Sequence, residues 1–218
     1  MIALRFLDGC GSTLNGAAFA PARFLRVLDL SACSIQELPD SIGQLTQLRY
    51  LNSPMIQNER IPESIKKLSN LIYLDLHKSS SILALPHSIG EMKGLMHLDL
   101  LGCNGITELP FSFRNLENLV HLDLSGAGCY LFDVSESFRS LSRMEHLTLG
   151  RCKIIDLAKE LTALTALQYL NLNQVHCSGT LCSGLKVMAN LTKLRYLGLK
   201  SCLDINKVGD DVEYDAFP

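Results

Sequence analysis

Apolar and polar positions along this chain recur in one hexad, Leu-x-x-Leu-x-Leu. Clear copies stand at 25–30, 71–76, 95–100, 119–124, 144–149, 167–172 and 194–199, and a weaker copy at 48–53. The starts at 25, 48, 71, 95, 119, 144, 167 and 194 are separated by 23, 23, 24, 24, 25, 23 and 27 residues. A degenerate leading copy is expected from Leu4, in Leu4-Arg5-Phe6-Leu7-Asp8. Self-similarity at such a period predicts stacked units, each burying its apolar face against its neighbours.

Strand alternation decides which positions point where. Positions 4 and 6 of each hexad are expected inside, and positions 3, 5 and 7 outside. One short strand per repeat, stacked in parallel about 4.8 Å apart, then forms one face. The return segments are legible as well: Leu38-Pro39-Asp40-Ser41-Ile42-Gly43-Gln44-Leu45, Ile61-Pro62-Glu63-Ser64-Ile65-Lys66-Lys67-Leu68, Leu85-Pro86-His87-Ser88-Ile89 and Leu109-Pro110-Phe111-Ser112-Phe113. Proline is tolerated early in a helical turn, where its missing N–H would be unpaired anyway. Ile42 and Leu45, three apart, face one side of such a turn. The expected fold is an α/β solenoid, a horseshoe with parallel strands on the concave face and short helices, 3-10 turns and loops on the convex face. The repeat domain is expected over 1–203, and an acidic tail over 204–218 containing Asp210-Asp211-Val212-Glu213. The pattern loosens after 130, where proline leaves the return segments, and the repeat from 167 runs long through 175–180. Neither end resembles the polar unit that closes a solenoid, so a fragment or a short relative of something longer is expected.

Composition narrows the function. Leucine makes up 42 of 218 residues, tryptophan is absent, and 47% hydrophobic content is enough for a core. Lys+Arg number 20 against Asp+Glu 22, a net charge of -2 that argues against a nucleic-acid partner. The 8 cysteines include no Cys-x-x-Cys and are scattered, which favours thiols in a reducing compartment. No apolar run reaches the ~18 residues of a membrane span. The N-terminus shows no signal-peptide pattern, and the single sequon, Asn190-Leu191-Thr192, is no more than chance supplies. A cytoplasmic protein is expected.

The period and hexad are those of leucine-rich repeats. Phe24-Leu25-Arg26-Val27-Leu28-Asp29-Leu30-Ser31, with Ile35-Gln36-Glu37-Leu38-Pro39-Asp40-Ser41-Ile42-Gly43-Gln44-Leu45 and Leu48-Arg49-Tyr50-Leu51-Asn52, resembles a narrower group. It is similar to the repeat region of plant intracellular immune receptors, the nucleotide-binding leucine-rich-repeat disease resistance proteins of the coiled-coil class. The resemblance covers roughly 4–203 and is closest in 24–125. It implies a non-enzymatic module for pathogen effector recognition, autoinhibition and defense. It also implies a protein partner: an effector, a guarded host protein or, in cis, the nucleotide-binding domain of a full-length receptor. That domain has no counterpart here. Gly11-Ser12-Thr13-Leu14-Asn15-Gly16 lacks the lysine that a phosphate-binding loop needs. The Leu-Pro-x-Ser-Ile-Gly-x-Leu segment is shared with intracellular Ras-group leucine-rich-repeat scaffolds, the alternative reading. Extracellular plant receptors use Leu-x-Gly-x-Ile-Pro, of which Ser178-Gly179-Thr180-Leu181 is a faint echo.

Candidate chemistry follows the same columns. Position 3 holds Tyr50, Tyr73, His97, His121, His146, Tyr169 and Tyr196, with Asp75, Asp99 and Asp123 alongside at position 5. This lane is the expected protein-binding surface. Its three histidines have the residue type for a divalent metal or a pH response, but a partner-facing patch explains them more simply. Cys33, Cys103, Cys152 and Cys202 at position 9 are expected to pack inward, each offering a weak S–H to a carbonyl. Cys177 and Cys182 near His176 supply at most three of the four ligands that structural zinc requires. No nucleophile–base arrangement or Gly-x-Ser-x-Gly elbow occurs, so no enzyme activity, cofactor or metal is expected.

Overall fold

A computed structural model describes residues 3–5, 19, 22–33, 35–127, 135–154, 157, 161–177 and 189–202. The acidic tail expected over 204–218, the phosphate-loop mimic at 11–16, and Cys182 lie outside these residues. Among the described residues the chain forms β1 (Ala3–Arg5), β2 (Val27–Asp29), β3 (Tyr50–Asn52), β4 (Tyr73–Asp75), β5 (His97–Asp99) and β6 (His121–Asp123). Then follow β7 (His146–Thr148), β8 (Lys153–Ile154), β9 (Tyr169–Asn171), β10 (His176–Cys177) and β11 (Tyr196–Gly198). Nine of these make one open parallel sheet in the order β1-β2-β3-β4-β5-β6-β7-β9-β11. Each strand of this sheet from β2 on is positions 3 to 5 of a hexad. Leu28, Leu51, Leu74, Leu98, Leu122, Leu147, Leu170 and Leu197 pair in one line across it. This is the α/β solenoid that the period predicts.

The leading copy is a correction. Leu4 pairs with Leu28, so it occupies position 4 rather than position 1. Leu4 and Leu7 mimic positions 1 and 4, but that register makes the first repeat 21 residues long, shorter than every other step. The observed register gives 24, the spacing from Leu4 to Leu28, which falls among the other steps of 23 to 27.

The core lies between two sides of the coil. On the strand side Leu28, Leu51, Leu74, Leu98, Leu122, Leu147 and Leu170 are fully buried. On the return side Ile42, Ile65, Ile89, Phe113, Phe138 and Leu161 form a matching buried column. Four proline-bearing return segments are 3-10 turns, Asp40–Gln44, Glu63–Lys67, His87–Glu91 and Phe111–Asn115, each entered through an extended proline. Where proline is lost, the fifth segment is a one-turn α-helix, Ser135–Phe138. A methyl group on Gly90 would run into the carbonyl of Ser112 in the next turn, so the convex side packs backbone to backbone there.

Backbone bonding continues past the three-residue strands. The position 6 N–H donates to the position 5 carbonyl of the next repeat, as from Leu76 to Asp99 at 3.0 Å and from Leu100 to Asp123 at 2.9 Å. The chain then turns through a left-handed residue at position 8: Met55, Lys78, Gly102, Gly126, Arg151, Gln174 and Ser201 all have φ between 55° and 72°. A small second sheet, β8 with β10, lies beyond this turn and is also parallel.

Candidate protein-recognition face

Position 3 projects from the outer face of the sheet, where strands about 4.8 Å apart hold aromatic side chains against one another. The structure brings all seven ring-bearing candidates together. Tyr50 stacks on Tyr73 with centroids 4.6 Å apart, and Tyr169 on Tyr196 at 4.3 Å. Between them Tyr73–His97 and His97–His121 are 5.7 Å apart, His121–His146 5.6 Å and His146–Tyr169 5.7 Å. The result is one unbroken row of rings in contact, near-parallel in the two tyrosine pairs at 11° and 6° and inclined by 27–34° between them. What a partner meets is therefore a line of ring edges: phenol hydroxyls at both ends and imidazole nitrogens in the middle. Most of the rings are half-buried, whereas Tyr196 at the end of the row is 43% exposed.

Packing shifts the titration of this row. Burial raises the Tyr73 phenol to about 12, helped by Asp75, Tyr50 and Asp99. Burial also lowers His97, with His146 adding to the effect, and lowers His121, with His97 and His146 adding and Asp123 opposing. Imidazoles of one row disfavour one another's protonation because like charges repel, both between neighbours and between His97 and His146, two ring spacings apart. Stacked rings direct their nitrogens side by side rather than toward one point, an arrangement unsuited to chelation. Among the described residues no group of three or more His, Cys, Asp or Glu side chains is arranged to hold a metal ion.

The position 5 carboxylates are less free than alternation implies. Asp29, Asp75, Asp99 and Asp123 each accept the backbone N–H two residues on, at 3.1, 2.8, 2.9 and 2.7 Å, and Asn171 does the same at 3.0 Å. This Asx turn ends the strand and starts the left-handed bend. Asp75, expected outside, is only 7% exposed. The reason is His77, whose Nδ1 lies 2.7 Å from Asp75 Oδ1 and covers it. Burial raises Asp99, with Asp75 and Asp123 adding, while the Leu101 N–H and His77 oppose. The His77–Asp75 pair has one signal in the sequence, a histidine at position 7 two residues after an aspartate.

The position 9 cysteines pack as expected. Cys103, Cys152 and Cys202 donate S–H to the carbonyls of Leu76, Leu124 and Leu172 at 3.1, 3.1 and 2.9 Å. Cys33 is buried in the same column.

A leucine-rich repeat region matches residues 62–179, more than half of the chain, and a further leucine-rich repeat matches 24–45. The chain belongs to the leucine-rich-repeat proteins. Such repeats are in general binding modules rather than enzymes. Among solved structures, it is similar to a leucine-rich-repeat protein of Leptospira interrogans, with 27% identity and TM-score 0.70 over 82% of this chain and 43% of that one. It shares its fold with the Arabidopsis receptor kinase HAESA ectodomain in complex with an N-terminally extended IDA peptide hormone, at 24% identity and TM-score 0.70 over 86% of this chain. It also shares it with TLR13 in complex with ssRNA13, at 23% identity and TM-score 0.69 over 86% of this chain. The leucine-rich-repeat chain here spans only 32% and 30% of the lengths of those two. No curated protein matches it. Among the described residues no helix is long and apolar enough to cross a membrane.

Proposed function

We propose that the chain is a non-enzymatic protein-recognition module of a plant intracellular immune receptor, or of a shortened relative, and works in the cytoplasm. The partner is a pathogen effector, a guarded host protein or, in cis, a nucleotide-binding domain. The observation that carries the recognition reading is the unbroken row from Tyr50 to Tyr196, flanked by Asp75, Asp99 and Asp123. Tyrosine offers large, stiff contact area with a polar tip, the type of side chain on which protein interfaces concentrate binding energy. The inner rings of the row pack against one another, which leaves bases little to stack on away from the exposed Tyr196 end, and the Asp99 and Asp123 carboxylates repel phosphate; both favour a protein over a nucleic acid. The immune-receptor part of the reading is supported by the Leu-Pro-x-Ser-Ile-Gly-x-Leu segments and their neighbours over 24–125. Buried cysteines paired to carbonyls suit a reducing compartment.

The test joins the chain to a receptor's coiled-coil and nucleotide-binding segments in leaf tissue and compares wild type with a Tyr73→Ala/His97→Ala variant of matched melting temperature. Loss of cell-death signalling and of cross-linked partner in the variant is the expected result. Full retention of both overturns the assignment of the row.

A further inference from the structure

The outer face changes character along the sheet. Position 5 is Asp on β2, β4, β5 and β6, then Thr148, Asn171 and Gly198 on β7, β9 and β11. From residue 144 on, positions 3 to 8 of the repeats contain no carboxylate and carry Arg151 and Lys200; before residue 144 the same positions hold four aspartates and one Lys or Arg, Lys78.

These cations line a groove of about 790 Å³ that crosses the turns after β5, β6, β7, β9 and β11. The groove exists because Gly102, Ser125, Gly126 and Gly150 present almost no side chain to it. Among the described residues no carboxylate lines it. Arg151 Nε donates to Gln174 Oε1 at 2.8 Å, which fixes the guanidinium plane. Its terminal amino groups, and the Lys200 ammonium, have no partner among the described residues, and the Ser125 hydroxyl is buried without one. Five strands are crossed in four steps, roughly 19 Å, the length of about six extended residues.

We propose that this groove takes an acidic stretch of an extended segment of the protein partner. Carboxylates pair with Arg151 and Lys200, and the segment continues over Asp123 and Asp99 through basic residues. The assignment rests on the recognition reading of the outer face and adds the partner's charge pattern and direction to it. Charge complementarity carries it: the Asp99–Asp123 stretch and the Arg151–Lys200 stretch each meet the opposite sign, which fixes orientation and speeds encounter. A uniformly anionic polymer would be attracted by Arg151 and Lys200 but repelled by Asp99 and Asp123, so nucleic acid fits less well.

The experiment follows backbone amide resonances of the isotope-labelled full chain. The probe is a capped, serine-spaced octapeptide with two lysines in its first half and two aspartates in its second. Controls are the same peptide with asparagines for aspartates, a six-nucleotide uridine RNA, and the Arg151→Glu/Lys200→Glu variant at matched melting temperature. Shifts centred on Ser125, Gly150, Arg151, Gln174 and Lys200, at least tenfold weaker in affinity for the asparagine peptide and for the charge-reversed variant, are expected. Equal response to the asparagine peptide, an unaffected variant, shifts outside the groove, no shifts at millimolar peptide, or tighter binding of the RNA each overturns it. The Tyr73→Ala/His97→Ala variant separates the two readings. If it loses its partner while the charge-reversed variant keeps the same one, the groove assignment fails and the row stands. If it keeps its partner while the peptide still shifts the groove, the row fails and the groove stands.

Discussion

Cys103 shows how one repeat position constrains a side chain. Position 9 lies where the chain turns away from the sheet, over the carbonyl that ends the preceding repeat's strand, as Cys103 lies over Leu76 at 3.1 Å. The site is small, apolar and supplied with an acceptor, conditions a thiol meets with little desolvation cost. Burial pushes the Cys103 thiol up to about 12, against a hydrogen bond from the Ser79 backbone, and Asp99 and Asp75 push the same way. Burial likewise raises Cys202, opposed by the Val175 and Gln174 backbone. The thiolate is the reactive form, so these positions resist modification. Cys33, Cys103, Cys152 and Cys202 are therefore expected to stay unlabelled by a thiol-reactive chromophore at pH 8 in the folded protein, and all 8 cysteines are expected to react in guanidinium. Peptide mapping checks this; rapid native labelling of Cys103 contradicts the inward position, and missing thiols after denaturation contradict the reducing compartment.

At the scale of the element, a three-residue strand has no stability of its own and borrows it from both neighbours. Leu98 is fully buried and sits in register between Leu74 and Leu122. Leu98→Ala is expected to cost ~2–5 kcal/mol, the range for a buried leucine that leaves a cavity. Because units in such arrays are coupled to their neighbours, amide exchange should accelerate in β4 and β6 as well as β5. An unchanged melt, or acceleration confined to β5, contradicts the packing. The strands, their faces and the return turns were legible because the hexad repeats with little drift in length. The register of β1 was not, since Leu4, Phe6 and Leu7 satisfy two alignments and only repeat length separates them. Nor was the left-handed turn at position 8. Glycine signals it at Gly102 and Gly126, but Met55, Lys78, Arg151, Gln174 and Ser201 adopt it too. That conformation costs non-glycine residues roughly 1–2 kcal/mol, which the continuing ladder offsets: Lys78 N–H reaches the Leu101 carbonyl at 2.6 Å and Arg151 N–H the Asn173 carbonyl at 3.0 Å. The β8–β10 pair lies outside the hexad and left no periodic trace.

At the scale of the whole molecule, the ring row was legible as a column, but its energetics were not, because stacking and burial depend on strand spacing that sequence does not display. Their consequence is a pH dependence that can be signed. His97 and His121 have folded-state values below the ordinary histidine value of 6.5, chiefly through burial. Between those values and 6.5 the unfolded chain binds protons that the folded chain does not, so stability falls as pH falls below 6.5. Each group contributes a slope of at most about 1.4 kcal/mol per pH unit, and less here because the rings remain partly solvated. Asp99, raised by burial, works in the opposite sense nearer pH 4, where the folded carboxyl holds its proton longer than the unfolded one. At the alkaline end Tyr73, raised to about 12, costs stability once the unfolded phenol ionises above pH 10. Urea midpoints measured at pH 7.5, 6.5 and 5.5 should therefore decline toward acid. The His97→Gln/His121→Gln variant should flatten that decline, since two titrating imidazoles are gone, while keeping whatever slope the remaining groups impose. A variant with the wild-type slope, or a wild-type midpoint that rises from pH 6.5 to 5.5, would show that the imidazoles ionise freely and that the row is looser in solution than its 5.6–5.7 Å spacings require.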